Sequence, residues 1–183
     1  RPGYDQEWRG DPEAAGGGEL LDQGVHVVDL VQAVFGRPNR VVGARLQTGV
    51  WRIAPLEDNA FAILGWDDGR TATLHTSWTQ WRNRFEFEVF GELGSVSVRG
   101  LGGQHSSYGV ETLVHEVRDP AQAGAPKGDS AQYRAEDHSF AIDWDRFVAA
   151  TNGAPHPLAP TASDSLAVMQ TIDSIYAAAD ETG

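Results

Sequence analysis

The chain has 183 residues, of which 40% are hydrophobic and 22% charged, a balance that builds a packed core rather than a disordered segment. Its 26 acidic against 14 basic residues leave a net charge of −12, which repels phosphate backbones and anionic lipid and argues against a nucleic-acid or membrane partner. The absence of cysteine excludes disulfides, thiolate catalysis and cysteine-bound zinc and fits a cytoplasmic protein, and the longest apolar stretch, around Val25 to Phe35, is too short to span a bilayer.

In chain order, Asp11 can cap a short turn with Pro12 at its first helical position, and Gly16, Gly17 and Gly18 then allow a tight change of direction. Apolar residues at 20, 21, 25, 28, 31, 34 and 35 predict a helix over Glu19 to Phe35, stopped by Gly36 and Pro38. Loose alternation predicts a strand over Arg40 to Val50. Another runs from Ala60 to Trp66 and turns at Asp67, Asp68 and Gly69 into Arg70 to Trp78. Arg84 to Phe90 alternates cleanly, with Phe85, Phe87 and Val89 on one face, and Ser95 to Arg99 alternates again. Gly100 to Ser107 and Pro120 to Ser130 read as loops around a strand at Val110 to Val117. His138 to Thr151 reads as a helix ending at Asn152 and Gly153. Thr161 and Asp164 form a capping-box pattern for a last helix carrying Leu166, Met169, Ile172, Ile175, Tyr176 and Ala179. The sum is one α+β domain over residues 1–183: an antiparallel meander of at least five strands, mostly an open sheet, with helices on one face.

Chemistry concentrates on the first long helix. Asp22, His26 and Asp29 follow the i, i+4, i+7 rule there and form one polar stripe. A neutral imidazole can take a proton from an alcohol, and a neighbouring carboxylate can fix its tautomer and stabilise the resulting cation, so the pair suits alcohol oxidation or carbonyl reduction. The same spacing also describes a local helix pair with no chemistry.

The run from Trp8 to Gly36, WRGDPEAAGGGELLDQGVHVVDLVQAVFG, resembles the start of the C-terminal domain of the glucose-fructose oxidoreductase, inositol dehydrogenase and rhizopine-catabolism (Gfo/Idh/MocA) family, whose pattern is W-R, then D-P, then G-G-G-x-L-x-D-x-G-x-H-x-x-D. Phe85 to Val98, FEFEVFGELGSVSV, resembles the family's strand, G-x-x-G turn and strand, and the ending helix after Pro160 fits too. The resemblance covers nearly the whole chain. Members are two-domain enzymes in which an N-terminal Rossmann domain binds NAD or NADP and the C-terminal domain supplies the substrate site and the oligomer interface. That first domain is missing from this sequence: no strand followed by G-x-G-x-x-G opens it, the Gly100 to Gly103 run (GLGG) lacks the fingerprint, and the family's E-K-P motif is absent. With Arg1 at its start and Met169 as its one methionine, the chain reads as a piece of a larger enzyme.

The resemblance implies a catalytic role for His26, exchanging a proton with the reacting hydroxyl of a sugar, sugar derivative or polyol, with Asp22 orienting and polarising it. NAD or NADP is then the cofactor of the full-length parent, none is expected to bind this chain alone, and a homodimer or homotetramer through the open sheet face is implied. Trp8 and Arg9 match the W-R pair and are candidates for substrate contact, although Arg beside Trp also makes a surface stacking pair. Trp78, Trp81 and Arg82 lie where strands meet a loop that borders the cleft in the family. Their aromatic faces and guanidinium suit a sugar, while sheet packing for Trp78 and a solvated hairpin for Arg82 are the plain alternatives. Asp29 reads as structural. His75, His105, His115, His138 and His156 have no ligand-spaced partner, and no second H-x-x-x-H completes a metal site. A non-enzymatic domain that pairs subunits or binds a sugar is the alternative reading.

Overall fold

A computed structural model describes residues 3–102, 107–121, 126–154, 156 and 159–180. They form two compact units, one holding residues 1–81 and 160–183 and the other residues 82–159.

The first unit opens on short 3-10 turns at Tyr4–Gln6 and Trp8–Gly10 and a single helical turn, α1 (Pro12–Ala15). Asp11 caps α1 as its sequence predicts, accepting from the Glu13 N–H at 3.0 Å, and Gly16 ends it in the left-handed region at φ 74°. A π turn over Leu20–Gly24 then leads into α2 (Val25–Phe35). The strands β1 (Arg40–Gln47), β2 (Asn59–Gly65) and β3 (Thr71–Ser77) form an antiparallel sheet in that order, with a register shift between Val41 and Gly43. The chain returns in α4 (Ala162–Asp180), which packs on β1 and α2. Its capping box is formed: Asp164 Oδ2 accepts from the Thr161 N–H at 2.7 Å, and the Thr161 hydroxyl accepts from the Asp164 N–H at 3.3 Å.

Alternation on β2 decides which way the sheet faces. Ala60, Ala62 and Leu64 are buried, as are Leu20, Val28, Ile172 and Ile175 of the helical elements, while Phe61 and Ile63 alternate to the other face and stay 40% exposed. All the buried hydrophobic residues among those described lie in this unit.

The second unit is a four-stranded antiparallel meander, β4 (Glu86–Phe90), β5 (Gly94–Arg99), β6 (Glu111–Val117) and β7 (Lys127–Tyr133), followed by α3 (Ser139–Thr151). Register places Phe87, Val98, Leu113 and Ala131 in one cross-strand row, with Val89 and Val96 in the row beside it on the same face. The opposite face carries Glu86, Glu88 and Arg99, where Arg99 Nε meets Glu86 at 2.7 Å.

Three sequence expectations change. The meander is two hydrogen-bonded sheets, because the ladder stops at Ser77 and restarts at Glu86. Part of the Pro120 to Ser130 loop is strand: β7 is an edge strand exposed along its whole length, held by backbone pairing to β6, so it needs no apolar alternation to form. The strand from Arg40 ends at Gln47 rather than Val50, because the N–H groups of Gly49, Val50 and Trp51 turn aside to the buried Asp58 carboxylate at 2.9, 2.8 and 2.9 Å.

Candidate active site

The glycine run sets the geometry of the site by close approach. A Cβ on Gly18 would lie 2.1 Å from the Glu57 carbonyl oxygen, and one on Gly17 would lie 2.7 Å from the Tyr176 hydroxyl. Only glycine lets the chain pass this close. The Glu57 carboxylate accepts from the Gly18 N–H at 3.3 Å, the Leu20 N–H at 3.0 Å and the Tyr176 hydroxyl at 2.8 Å, and its carbonyl accepts from the Glu19 N–H at 2.9 Å. These are the orphan donors of a helix N-terminus, satisfied by a carboxylate from a distant loop, where the helix dipole also favours negative charge. Burial, then the Glu57 charge and hydrogen bond, push the Tyr176 hydroxyl well above its ordinary range, so it stays a donor.

Neither Glu57 nor Tyr176 stands out in the sequence, since 119 residues separate them. Glu19, 3% exposed, is the other residue missed. Burial, and then the charges of Asp22 and Glu57, raise its carboxyl from 4.5 to about 8.

The π turn places Asp22 half-buried beside the 3-10 turn at Trp8–Gly10. Arg9 Nε donates to Asp22 at 3.3 Å, and Gln23 Nε2 donates to Asp22 Oδ2 at 3.0 Å. The Arg9 guanidinium also lies 4.6 Å over the Trp8 ring and 3.7 Å from Glu7. The stacking pair and the site contact are thus the same arginine. His26 stands exposed in the first turn of α2, and no hydrogen bond joins it to Asp22 among the described residues. The widened turn was not legible, because i, i+4 spacing assumes an unbroken α-helix. Asp29, read as structural, lies exposed on α2 with no hydrogen bond among the described residues.

The aromatic candidates gather at the end of β3. The Trp78 N–H donates to the Asp58 carbonyl at 3.0 Å, and the Trp78 carbonyl accepts from Trp51 Nε1 at 3.2 Å, so Trp78 ties the sheet end to the loop. Trp81 is 73% exposed, has φ 57°, unlike any other non-glycine among the described residues, and packs its ring 5.6 Å from that of Trp51. Backbone strain of this kind is commonly held at functional sites. Arg82 is exposed and begins the second unit.

Of the histidines, His75 stacks on Phe61 at 4.1 Å, His115 lies 3.3 Å from Asp129, His138 precedes α3, and His105 lies outside the described residues. Among the described residues no trio of histidine and carboxylate side chains is grouped to hold a metal ion. No described helix is long and apolar enough to cross a membrane. All strand pairs among the described residues are antiparallel, so those residues contain no parallel strand-helix-strand unit.

The model of the GFO/IDH/MocA C-terminal domain matches residues 1–97. A protein of Amycolatopsis mediterranei (strain S699), described as a UDP-kanosamine synthase oxidoreductase subunit, is 28% identical over 138 residues, covering 65% of this chain and 38% of that protein. In structure, the chain is similar to aldose-aldose oxidoreductase from Caulobacter crescentus complexed with glycerol, at TM-score 0.75 and 22% identity over 97% of this chain and 50% of the other. It is similar also to levoglucosan dehydrogenase in complex with NADH and levoglucosan, at TM-score 0.75 and 18% identity over 100% of this chain and 54% of the other. The chain thus spans about half the length of these solved structures and less of the curated relative.

Proposed function

Given that this chain belongs to the Gfo/Idh/MocA family through its C-terminal domain, we propose that it is the substrate-binding and catalytic half of an NAD(P)-dependent oxidoreductase acting on a sugar, sugar derivative or polyol. The observation that carries the proposal is the Arg9–Asp22 ion pair at 3.3 Å in the π turn, immediately before an exposed His26. Wide turns of this kind are frequent at functional sites. In the oxidising direction the neutral His26 imidazole accepts the hydroxyl proton of the substrate. Asp22, anchored by Arg9, places a negative charge near the imidazolium that forms and stabilises it.

Hydride transfer is chemistry that no side chain supplies, so it falls to the nicotinamide, held by a dinucleotide-binding domain outside this chain. This chain alone is then inactive. Trp81, exposed and strained, offers an aromatic face to the apolar side of a sugar ring, and Trp8, Trp78 and Arg82 are the remaining candidates for the substrate pocket. Relatives whose names specify an aldose, levoglucosan and NADH support this choice of substrate and cofactor class. The exposed apolar faces of both sheets support assembly into a homodimer or homotetramer, and a cytoplasmic setting fits the lack of cysteine.

The test is steady-state kinetics of the complete protein on a panel of sugars and polyols with NAD and NADP. His26→Ala and Asp22→Asn each lower kcat by ~10²- to 10⁴-fold, the usual worth of general acid-base help. Turnover that stays within a few fold of the parent would sink the assignment in favour of a sugar-binding or subunit-pairing domain without chemistry.

A further inference from the structure

The first turns of the site helix hold more carboxylates than their surroundings can charge. Glu57 is buried and fully engaged by its three donors, and Asp22 has Arg9 and Gln23. Glu19 has no guanidinium beside it among the described residues. It is 3% exposed, and its Oε2 has no hydrogen-bond partner among the described residues. Thr76 and the Ser77 backbone face it from β3 and favour its charge slightly. The Thr76 hydroxyl, itself buried, has no hydrogen-bond partner within the geometric limits among the described residues.

The ionisable groups that bear on Glu19 are Asp22 on its own turn and Glu57 from the loop before β2, with β3 contributing only Thr76 and Ser77. The charges behind these two are Arg9 on Asp22, and the hydroxyl of Tyr176 from α4 sits on Glu57. A charge on the buried Glu19 would lie beside the Asp22 and Glu57 carboxylates with no guanidinium of its own among the described residues, so burial and these neighbours favour its neutral form. Glu19 is the one left with too few donors. A proton on it removes the like charge beside Asp22 and supplies a donor where two buried oxygens lack one.

We propose that Glu19 is a positioning residue for the Asp22–His26 pair: held as the neutral acid, it lets Asp22 keep its charge and its ion pair with Arg9, and its ionisation sets the alkaline limit of the site. This rests on the reading of Asp22 and His26 given above. Above that limit a buried Glu19 anion repels Asp22, and the carboxylate that serves His26 loses its place.

Two measurements on the complete protein test this. Difference infrared spectroscopy of parent against Glu19→Gln reads the protonated-carboxyl stretch directly, and the band is expected at neutral pH in the parent, fading near pH 8, and absent from the variant. The pH profile of kcat is expected to show an alkaline limb near pH 8 in the parent that moves up by about a unit or more in Glu19→Gln, because glutamine copies the neutral acid and cannot ionise. The position of the limb is the readout, since a merely structural Glu19 would lower kcat without moving it. No such band in the parent, or a limb unmoved in the variant, overturns the proposal. Should Glu19→Gln fail to fold, the pH titration of the band in the parent decides alone, a carboxylate already ionised at pH 7 being the overturning result. If instead His26→Ala and Asp22→Asn leave turnover intact, the positioning role falls with the active-site reading, and the persistent Glu19 band shows which of the two was wrong.

Discussion

Glu57 and Tyr176 meet at 2.8 Å across most of the chain, and their contact explains why the glycine run holds its shape. Removing the Tyr176 hydroxyl takes one of three donors from a buried carboxylate, so Tyr176→Phe destabilises by about 1–2 kcal/mol. Glu57→Ala strands the Gly18 and Leu20 N–H groups as well and costs on the order of 3 kcal/mol or more. Urea unfolding at neutral pH measures both, and a Glu57→Ala cost no larger than that of Tyr176→Phe would show that water replaces the carboxylate. Glu19 contributes in the opposite sense. Its folded-state carboxyl is raised from 4.5 to about 8, so between these values the folded protein holds a proton that the unfolded chain has lost, and its contribution weakens as pH rises through this window and levels off above it.

At the scale of elements, the π turn and the glycine run act as one unit. Gly17 and Gly18 have ordinary backbone angles, and what they provide is the absence of a Cβ against Tyr176 and Glu57. Gly18→Ala would force the chain off Glu57, because the atoms it meets include the Glu57 backbone oxygen and nitrogen, which cannot rotate away. The expected loss is about 3 kcal/mol, the upper end of the usual range for overpacking, and activity falls with it. Gly16→Ala is strained for a different reason, its φ of 74°, and should cost only about 1 kcal/mol. Thermal melts of the two variants separate the mechanisms, and equal shifts would contradict the close-approach argument. The amphipathic order of α2 was legible because its buried residues, Val28 and Val31, follow the helical period. The π turn was hidden, since it departs from the α-helical period that the sequence pattern assumes, and the Glu57 carboxylate that holds the Gly18 and Leu20 N–H groups at its start comes from far along the chain.

For the whole molecule, the two units differ in what they bury. The first encloses a core between one sheet face and α2 with α4, whereas the second carries Phe87, Val89, Val96, Val98 and Leu113 on a sheet face where none is fully buried. Apolar faces of this extent are usually covered by a partner, and a second copy is the occupant that the family reading favours. Val96→Glu, at a position already 39% exposed, should leave the fold intact and shift the protein toward a smaller assembly in sedimentation velocity. An unchanged sedimentation coefficient would show that this face pairs no second copy.

The sequence by itself determined the elements whose causes are local. The Asp11 cap, the Thr161 and Asp164 capping box, the turn at Asp67 to Gly69 and the alternation of β2 each arise from residues a few positions apart. It also displayed the motif of the family to which the chain belongs, because that motif is glycines and polar residues at fixed spacing within one short run. Tertiary structure alone decided that Asp22 answers to Arg9, that Glu57 caps a helix far from it in the chain, that Glu19 is shut away among acids, and that Lys127–Tyr133 is a strand. The physical reason is common to all four. A carboxylate's charge and an edge strand's pairing depend on which groups lie a few ångströms away, and those groups are brought there from distant sequence only when the chain folds.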